Sequence, residues 1–146
     1  MENWELIARE RIRDTLATYN WSGDAFRLEA LAAAFCDDGV LEIRGEEPVR
    51  GRAAIVALLG GVTTAGDDEA RRVVRHNVTN IRFVAVRADE AQVESYFTVF
   101  TEIGLDHFGR YRDTFVPVGA QWLIRHRFVS TDWRAEGSTM SLRPPP

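Results

Sequence analysis

The chain has 146 residues, enough for one domain with a single hydrophobic core. Its 18 basic and 22 acidic residues give a formal net charge of -4, and the basic residues are scattered singly, which disfavours a nucleic-acid partner. No segment approaches the roughly 20 apolar residues of a membrane span, and the charged N-terminus lacks the apolar core of a signal peptide, so we expect a cytoplasmic protein.

The first half of the chain has helical periodicity. Apolar side chains at helix-like intervals predict a first helix over residues 4–20, ended by Ser22-Gly23-Asp24, and a second over 28–35, ended by Asp37-Asp38-Gly39. A short strand at 40–43 and a third helix at 51–59 follow. The only cysteine, Cys36, can form no intramolecular disulfide and is predicted to be a small buried side chain.

The second half alternates between apolar and polar residues, as strands do. Four strands are predicted at 73–86, 91–103, 107–117 and 121–132, and their short connections indicate antiparallel hairpins. The expected class is therefore α+β, one domain spanning residues 1–146 with its core at about 5–133 and an extended C-terminal tail at 134–146.

Strand alternation predicts which side chains face the interior. In the last strand Trp122, Ile124, His126 and Phe128 share one face, which we assign to the interior, and Arg125 and Arg127 share the other. In the first long strand the apolar parity changes midway, which predicts a bulge near Thr79-Asn80 that would turn His76 toward the same interior as His126.

Three residues, Tyr19, Asp24 and His76, would together be able to abstract a proton from carbon. A carboxylate orients an imidazole base, and a phenol can donate to a developing oxyanion. Asp24 could instead cap the second helix, and His76 could be a hydrogen-bonded core residue. His107 follows a turn and is expected to face solvent. No pair of histidines has the spacing of metal ligands, so we predict neither a metal nor a cofactor.

Several motifs resemble the SnoaL-like branch of the nuclear transport factor 2-like superfamily, which includes scytalone dehydratase, the lindane dehydrochlorinase and bile-acid dehydratase. In the first half they are Tyr-x-x-x-x-Asp at 19–24, Leu-x-x-x-Phe-x-x-Asp-Gly at 31–39 and Gly-Arg-x-x-Ile at 51–55. In the second half they are Arg-His-x-x-Thr-Asn at 75–80, Gly-Arg-Tyr-x-Asp at 109–113 and the closing segment that starts at Trp122. The resemblance covers about residues 5–133.

The resemblance implies a cone-shaped, curved antiparallel sheet with three N-terminal helices enclosing a pocket. Asp24 and His76 match the paired carboxylate and histidine of the dehydratase-like members, and Tyr19 matches a tyrosine of bile-acid dehydratase. The sequence departs from ketosteroid isomerase and from limonene epoxide hydrolase, whose catalytic positions it lacks. Because the fold also serves binding proteins, it does not by itself give the function.

The resulting expectation is a cofactor-independent lyase or isomerase, dehydratase-like, that acts on a small apolar and cyclic substrate. His76 would be the general base, Asp24 its orienting carboxylate and Tyr19 the donor. The predicted substrate-binding residues are His126, Trp21, Phe97, Trp122 and Phe128. A homodimer or homotrimer is expected through the outer sheet face, where Arg110 and Arg112 lie. The rival functions are a non-catalytic binding protein and an accessory assembly subunit.

Overall fold

The computed structural model describes residues 1–63, 73–138 and 140, in which a curved six-stranded sheet packs against three helices. The chain order is α1 (Asn3–Asp24), α2 (Leu28–Ala32), β1 (Phe35–Ile43), β2 (Val49–Arg50), α3 (Arg52–Thr63), β3 (Arg75–Val86), β4 (Ala91–Thr101), β5 (Gly104–Val118) and β6 (Gln121–Arg134). The predicted α+β class, with three helices before a four-stranded meander, is confirmed.

The strands lie in the order β2-β1-β6-β5-β4-β3. The meander of β3 to β6 is antiparallel as predicted, but β1 pairs with β6 in parallel, so the sheet is mixed. The sequence pattern missed β2, whose two residues pair with β1. It also gave β1 too short, because Asp37-Asp38-Gly39 is an irregular stretch within the strand and does not end a helix.

The predicted bulge in β3 is present. Its register against β4 shifts between Thr79 and Arg82, and Asn80 has a φ of 51°, a conformation that asparagine tolerates. The bulge restores the inward parity, so that the same side of β3 is covered along its whole length: Val74, His76, Val78, Ile81, Phe83 and Ala85 are all buried or partly buried.

A second bulge, in β6, contradicts the predicted interior face. Thr114 pairs with His126 and Phe115 with Ile124, which leaves Arg125 as the extra residue. Trp122 and Ile124 are buried as predicted, but after the bulge the parity reverses. Arg127 is therefore completely buried, while the His126 and Phe128 side chains turn to the outer face and are partly exposed.

Helix α1 continues through Ser22 and Gly23 and ends at Asp24, later than predicted. Gly23 permits close packing of α1 on α2, because a Cβ at this position would lie only 3.0 Å from Leu31 Cδ1. The residue flanking the start of α2 is Arg27, and no side chain caps that helix. The alternative in which Asp24 caps the second helix is therefore wrong.

The core lies between α1 and the inner face of the sheet. Ile12 and Leu16 of α1, together with Phe35, Phe115 and Ile124 of the strands, are at most 2% exposed. The Thr15 hydroxyl donates to the Trp122 carbonyl at 2.5 Å and fixes the helix on β6. Burial of Cys36 agrees with its predicted role.

The tail begins later than predicted, because β6 extends to Arg134. Beyond it, the Ser138 hydroxyl donates to Asp106 Oδ1 at 2.6 Å, so this part of the tail is bound to the sheet. The prolines at 144–146, predicted to be loosely held, lie outside the described residues. Among the helices described, none is long and apolar enough to cross a membrane.

Candidate active site

A cavity of about 440 Å³ lies between the helices and the inner face of the sheet. Its wall is mostly apolar and includes Leu31, Ile43, Val74, Phe97, Val129 and Met140. The polar groups at its surface include Tyr19, Asn20, His76, His107 and Tyr111, while Arg44, Glu46 and Arg134 are the charged residues that line it. A largely apolar cavity with polar groups at fixed positions on its wall is typical of a small-molecule site.

Asp24 and His76 are in direct contact at this cavity. Asp24 Oδ1 lies 2.6 Å from His76 Nδ1, and Asp24 Oδ2 accepts the backbone N–H of His76 at 2.9 Å. The side chains are 13% and 18% exposed. With Nδ1–H donating to the carboxylate, Nε2 is the ring nitrogen that carries the free lone pair. This is the arrangement of an oriented base.

The position of Asp24 is unusual for a helix end. Asp24 is the last residue of α1, at the negative end of the helix dipole, where a carboxylate does not stabilise the helix. Its two carboxylate oxygens instead bind the ring and the backbone N–H of His76.

Tyr19 of α1 lines the cavity, and its ring packs against the buried guanidinium of Arg127. Arg127 Cζ lies 4.2 Å from the centroid of the Tyr19 ring and 3.8 Å from that of Tyr111. Its guanidinium donates twice to Asp113, from Nε and Nη2, at 2.8 Å each. Burial raises the pKa of Tyr19 above its ordinary value, although Arg127 opposes the effect. Tyr19 is therefore a protonated donor at neutral pH.

A second carboxylate–histidine pair lies at the same cavity. His107 Nδ1 is 2.5 Å from Asp106 Oδ1, and both residues are buried, at 7% and 1% exposed. Burial lowers the pKa of His107; the hydrogen bond to Asp106 opposes this effect, and the positive charge of Arg134 adds to it. Burial acts to raise the pKa of Asp106, but hydrogen bonds from Ser138, His107 and Thr101 hold it below its ordinary value. His107 is therefore neutral at pH 7 and presents Nε2 as an acceptor.

The structure brings together only some of the predicted site residues. Tyr19, His76 and Phe97 line the cavity, and Asp24 holds His76. The other four predicted substrate-binding residues do not line it. Trp21 is 80% exposed, Trp122 is buried in the core, Phe128 lies on the outer face near Arg44, and His126 pairs with Glu42 at 2.9 Å.

The expectation that His107 faces solvent is wrong, since it is 7% exposed, and sequence reasoning also missed the burial of Arg127. His107 is the first residue of the strand predicted at 107–117 and has the same parity as Tyr111 and Phe115, so strand alternation would have placed it inside. Asp113 has the same parity and is buried too. A buried carboxylate is stable only with a buried cation as its partner, so Asp113 indicates that such a cation exists. The alternation of β6 alone could not identify Arg127 as that cation, because the bulge reverses the parity just before it.

A domain model described as "SnoaL-like domain" matches residues 4–128. The chain belongs to this SnoaL-like family. A comparison with proteins of curated function finds no match. Among the described residues no group of three His, Cys, Asp or Glu side chains could hold a metal ion.

Solved structures show the same fold. A provisionally named scytalone dehydratase from Novosphingobium aromaticivorans is similar over 99% of this chain and 97% of its own, with a TM-score of 0.80 and 24% identity. An NTF2-like protein with a cystatin-like fold from the same organism is 26% identical, over 91% and 85% of the two chains, with a TM-score of 0.71. ActVI-ORFA from Streptomyces coelicolor has a TM-score of 0.75 at 19% identity, over 85% and 96%.

Proposed function

We propose that this protein is a cofactor-independent lyase or isomerase that removes a proton from a small, apolar, cyclic substrate. The single observation that carries the proposal is the contact of 2.6 Å between Asp24 Oδ1 and His76 Nδ1 at the wall of an apolar cavity. An oriented imidazole base in such a cavity suits an acidic C–H bond next to a carbonyl group.

In the proposed step, His76 Nε2 takes the proton from the carbon beside the carbonyl. The electron pair of the C–H bond forms the enolate double bond, and the carbonyl oxygen gains the negative charge. Tyr19 donates a hydrogen bond to that oxygen, and Asp24 stabilises the imidazolium. Reprotonation at another carbon isomerises the substrate, whereas loss of a β-hydroxyl group, which takes up a proton and leaves as water, dehydrates it.

His107 has a different role in this scheme. As a neutral imidazole whose Nδ1–H is engaged by Asp106, it can accept but not donate through Nε2. Its Nε2 would therefore accept a hydrogen bond from a hydroxyl group of the substrate and orient that group. The pair formed by Asp24 and His76 remains the one that abstracts the proton.

The test uses 2-tetralone, an apolar bicyclic ketone with acidic protons beside its carbonyl, in heavy water. We expect the protein to accelerate hydrogen–deuterium exchange at those carbons, followed by proton NMR. His76→Ala should lower the rate by about 10²–10⁴-fold. Asp24→Asn should lose most of the activity, and the double variant should be little worse than the poorer single one, because the two residues share one task.

The matched control is His126→Ala, which removes a histidine outside the cavity and should leave the exchange rate unchanged. Exchange that persists in His76→Ala would remove this residue as the base. Additive losses in the double variant would mean that Asp24 and His76 act separately.

A second candidate is a non-catalytic binding protein, which the largely apolar wall of the cavity would also serve. Binding of 2-tetralone without acceleration of its exchange would favour this function over catalysis. We further propose that the protein is cytoplasmic and assembles into a homodimer or homotrimer. If it were an accessory subunit, it would instead form a stable complex with a larger partner.

A further inference from the structure

Phe26 holds a backbone conformation that its residue type disfavours. Its φ is 58°, in the left-handed region, where a bulky side chain crowds the backbone and glycine is the usual residue. The Phe26 N–H donates to the Gly23 carbonyl at 3.0 Å and the Arg27 N–H to the Ser22 carbonyl at 2.9 Å. These two bonds form the helix-ending motif in which the left-handed position is normally glycine.

The side chain that occupies this strained position lines the cavity. Phe26 is 38% exposed, so part of its surface remains accessible. It lies two residues after Asp24, the carboxylate that holds His76. Glycine would end the helix with less strain but would remove this apolar part of the cavity wall.

We propose that Phe26 is a specificity-determining residue whose ring packs against a planar ring of the ligand. Strained residues persist where the surrounding structure fixes them, and they concentrate at ligand sites. A partly exposed aromatic residue in the same cavity as His76 can provide apolar contact and a preferred ring-on-ring geometry. The inference rests on the proposed function for one point, that the ligand is a cyclic ketone. It adds that the site prefers an aromatic or fused-ring ketone to a saturated one.

The experiment compares the binding of two ketones, 2-tetralone with its aromatic ring and cyclohexanone without one. Dissociation constants are measured by NMR titration in the His76→Ala background, where no proton transfer is needed. Adding Phe26→Ala or Phe26→Gly should weaken 2-tetralone binding by about tenfold and cyclohexanone binding by less than about twofold. Trp21→Ala is the matched control, because it removes an aromatic side chain near the end of α1 that does not line the cavity. It should change neither constant.

A second measurement tests the strain itself. Phe26→Gly and Phe26→Ala both remove the ring, but only glycine accepts a positive φ freely. We expect the glycine variant to melt about 2–6 °C above the alanine variant, the reverse of their usual order.

The inference is overturned if both ring-removing variants keep the parental ratio of the two dissociation constants, if 2-tetralone does not bind, or if the alanine variant is as stable as the glycine variant. These outcomes are separate from a failure of the proposed function, which is read from the exchange rate with His76 present. A protein that binds 2-tetralone through Phe26 but does not accelerate its exchange supports the inference while refuting the catalysis.

Discussion

At the residue scale, the cavity combines two carboxylate–histidine pairs that differ in environment. His76 is held by the end of a helix and is partly exposed, whereas His107 is buried with its partner Asp106 inside the sheet. Burial disfavours charge on His107, and the shared cavity places a second positive charge near it when His76 is protonated. His107 is therefore suited to stay neutral.

The depressed pKa of His107 predicts loss of stability in acid. The folded protein resists protonation of His107, whereas the unfolded chain takes up a proton near the ordinary value of 6.5. The unfolded state then binds more protons, so this contribution is present above about pH 6.5 and is lost as the pH falls below it.

The measurement is the urea-derived free energy of unfolding at several values between pH 9 and 5.5. His107→Asn keeps a donor for Asp106 but cannot titrate, so its stability should fall less between pH 7.5 and 5.5. Between pH 9 and 7.5 the two proteins should show the same slope, which is the internal control. Equal slopes below pH 7 would show that His107 does not titrate differently on folding.

Arg127 provides a second prediction at this scale. Both side chains of its pair with Asp113 are 0% exposed. Arg127→Met would leave the Asp113 carboxylate buried without a cation, and we expect a loss of about 3–5 kcal/mol in the free energy of unfolding. Arg125→Met, two residues earlier, removes a half-exposed arginine paired with Glu90 and should cost about 0–1 kcal/mol. Similar losses in the two variants would contradict the burial of Arg127.

At the element scale, bulges and close strand contacts determine which residues reach the cavity. Because of the bulge in β3, His76 and Phe83 lie on the same face of the sheet although one has an even number and the other an odd one. Because of the bulge in β6, Arg127 lies on the inner face and His126 on the outer face. On β5, Gly109 lies where a Cβ would collide with the Ser130 carbonyl oxygen and would lie 2.8 Å from Thr131 Cα. The pairing of β5 with β6 therefore depends on a residue without a side chain.

Gly109→Ala should destabilise the fold by roughly 2–4 kcal/mol, because backbone atoms of β6 cannot move aside as a flexible side chain could. Gly61→Ala is the control: its Cβ would meet nothing within 4 Å, and in α3 alanine should stabilise by about 0.5–1 kcal/mol. Thermal and urea unfolding of both variants measure the difference. A Gly109→Ala protein of unchanged stability would show that the two strands are less closely apposed.

At the scale of the whole molecule, the outer face of the sheet exposes a set of aromatic side chains. Tyr96, Phe100, Phe108 and Trp133 are each at least 38% exposed, and the last two stack with their ring centroids 5.6 Å apart. Exposed aromatic side chains on one sheet are typical of a protein–protein interface. It is the surface through which we expect the homodimer or homotrimer to form.

The prediction is that the protein sediments as a dimer or trimer at micromolar concentration and that Trp133→Glu shifts it toward the monomer. A charge at the centre of an apolar interface would be buried without a partner. Trp21→Glu, on the exposed surface of α1, should leave the assembly unchanged. A wild-type protein that sediments as a monomer would contradict the proposed interface.

The sequence by itself determined the order and type of the three helices and of every strand except β2, the bulge in β3 and the contact between Asp24 and His76. These follow from local periodicity, from a parity change visible within one strand, and from a family resemblance that spans most of the chain. The burial of Cys36 was predicted correctly from its apolar neighbours.

Only the tertiary structure decided that Arg127 lies inside and His126 and Phe128 outside, that His107 belongs to the cavity, and that Phe26 adopts a positive φ. The first two depend on partners distant in the sequence: the bulge in β6 is set by pairing with β5, and His107 is buried by the residues around the cavity. The third follows from the way in which α1 ends, with local bonds to Gly23 and Ser22 that the residue type of Phe26 does not favour. Local periodicity fixes the alternation of a strand, but cross-strand pairing fixes where that alternation reverses.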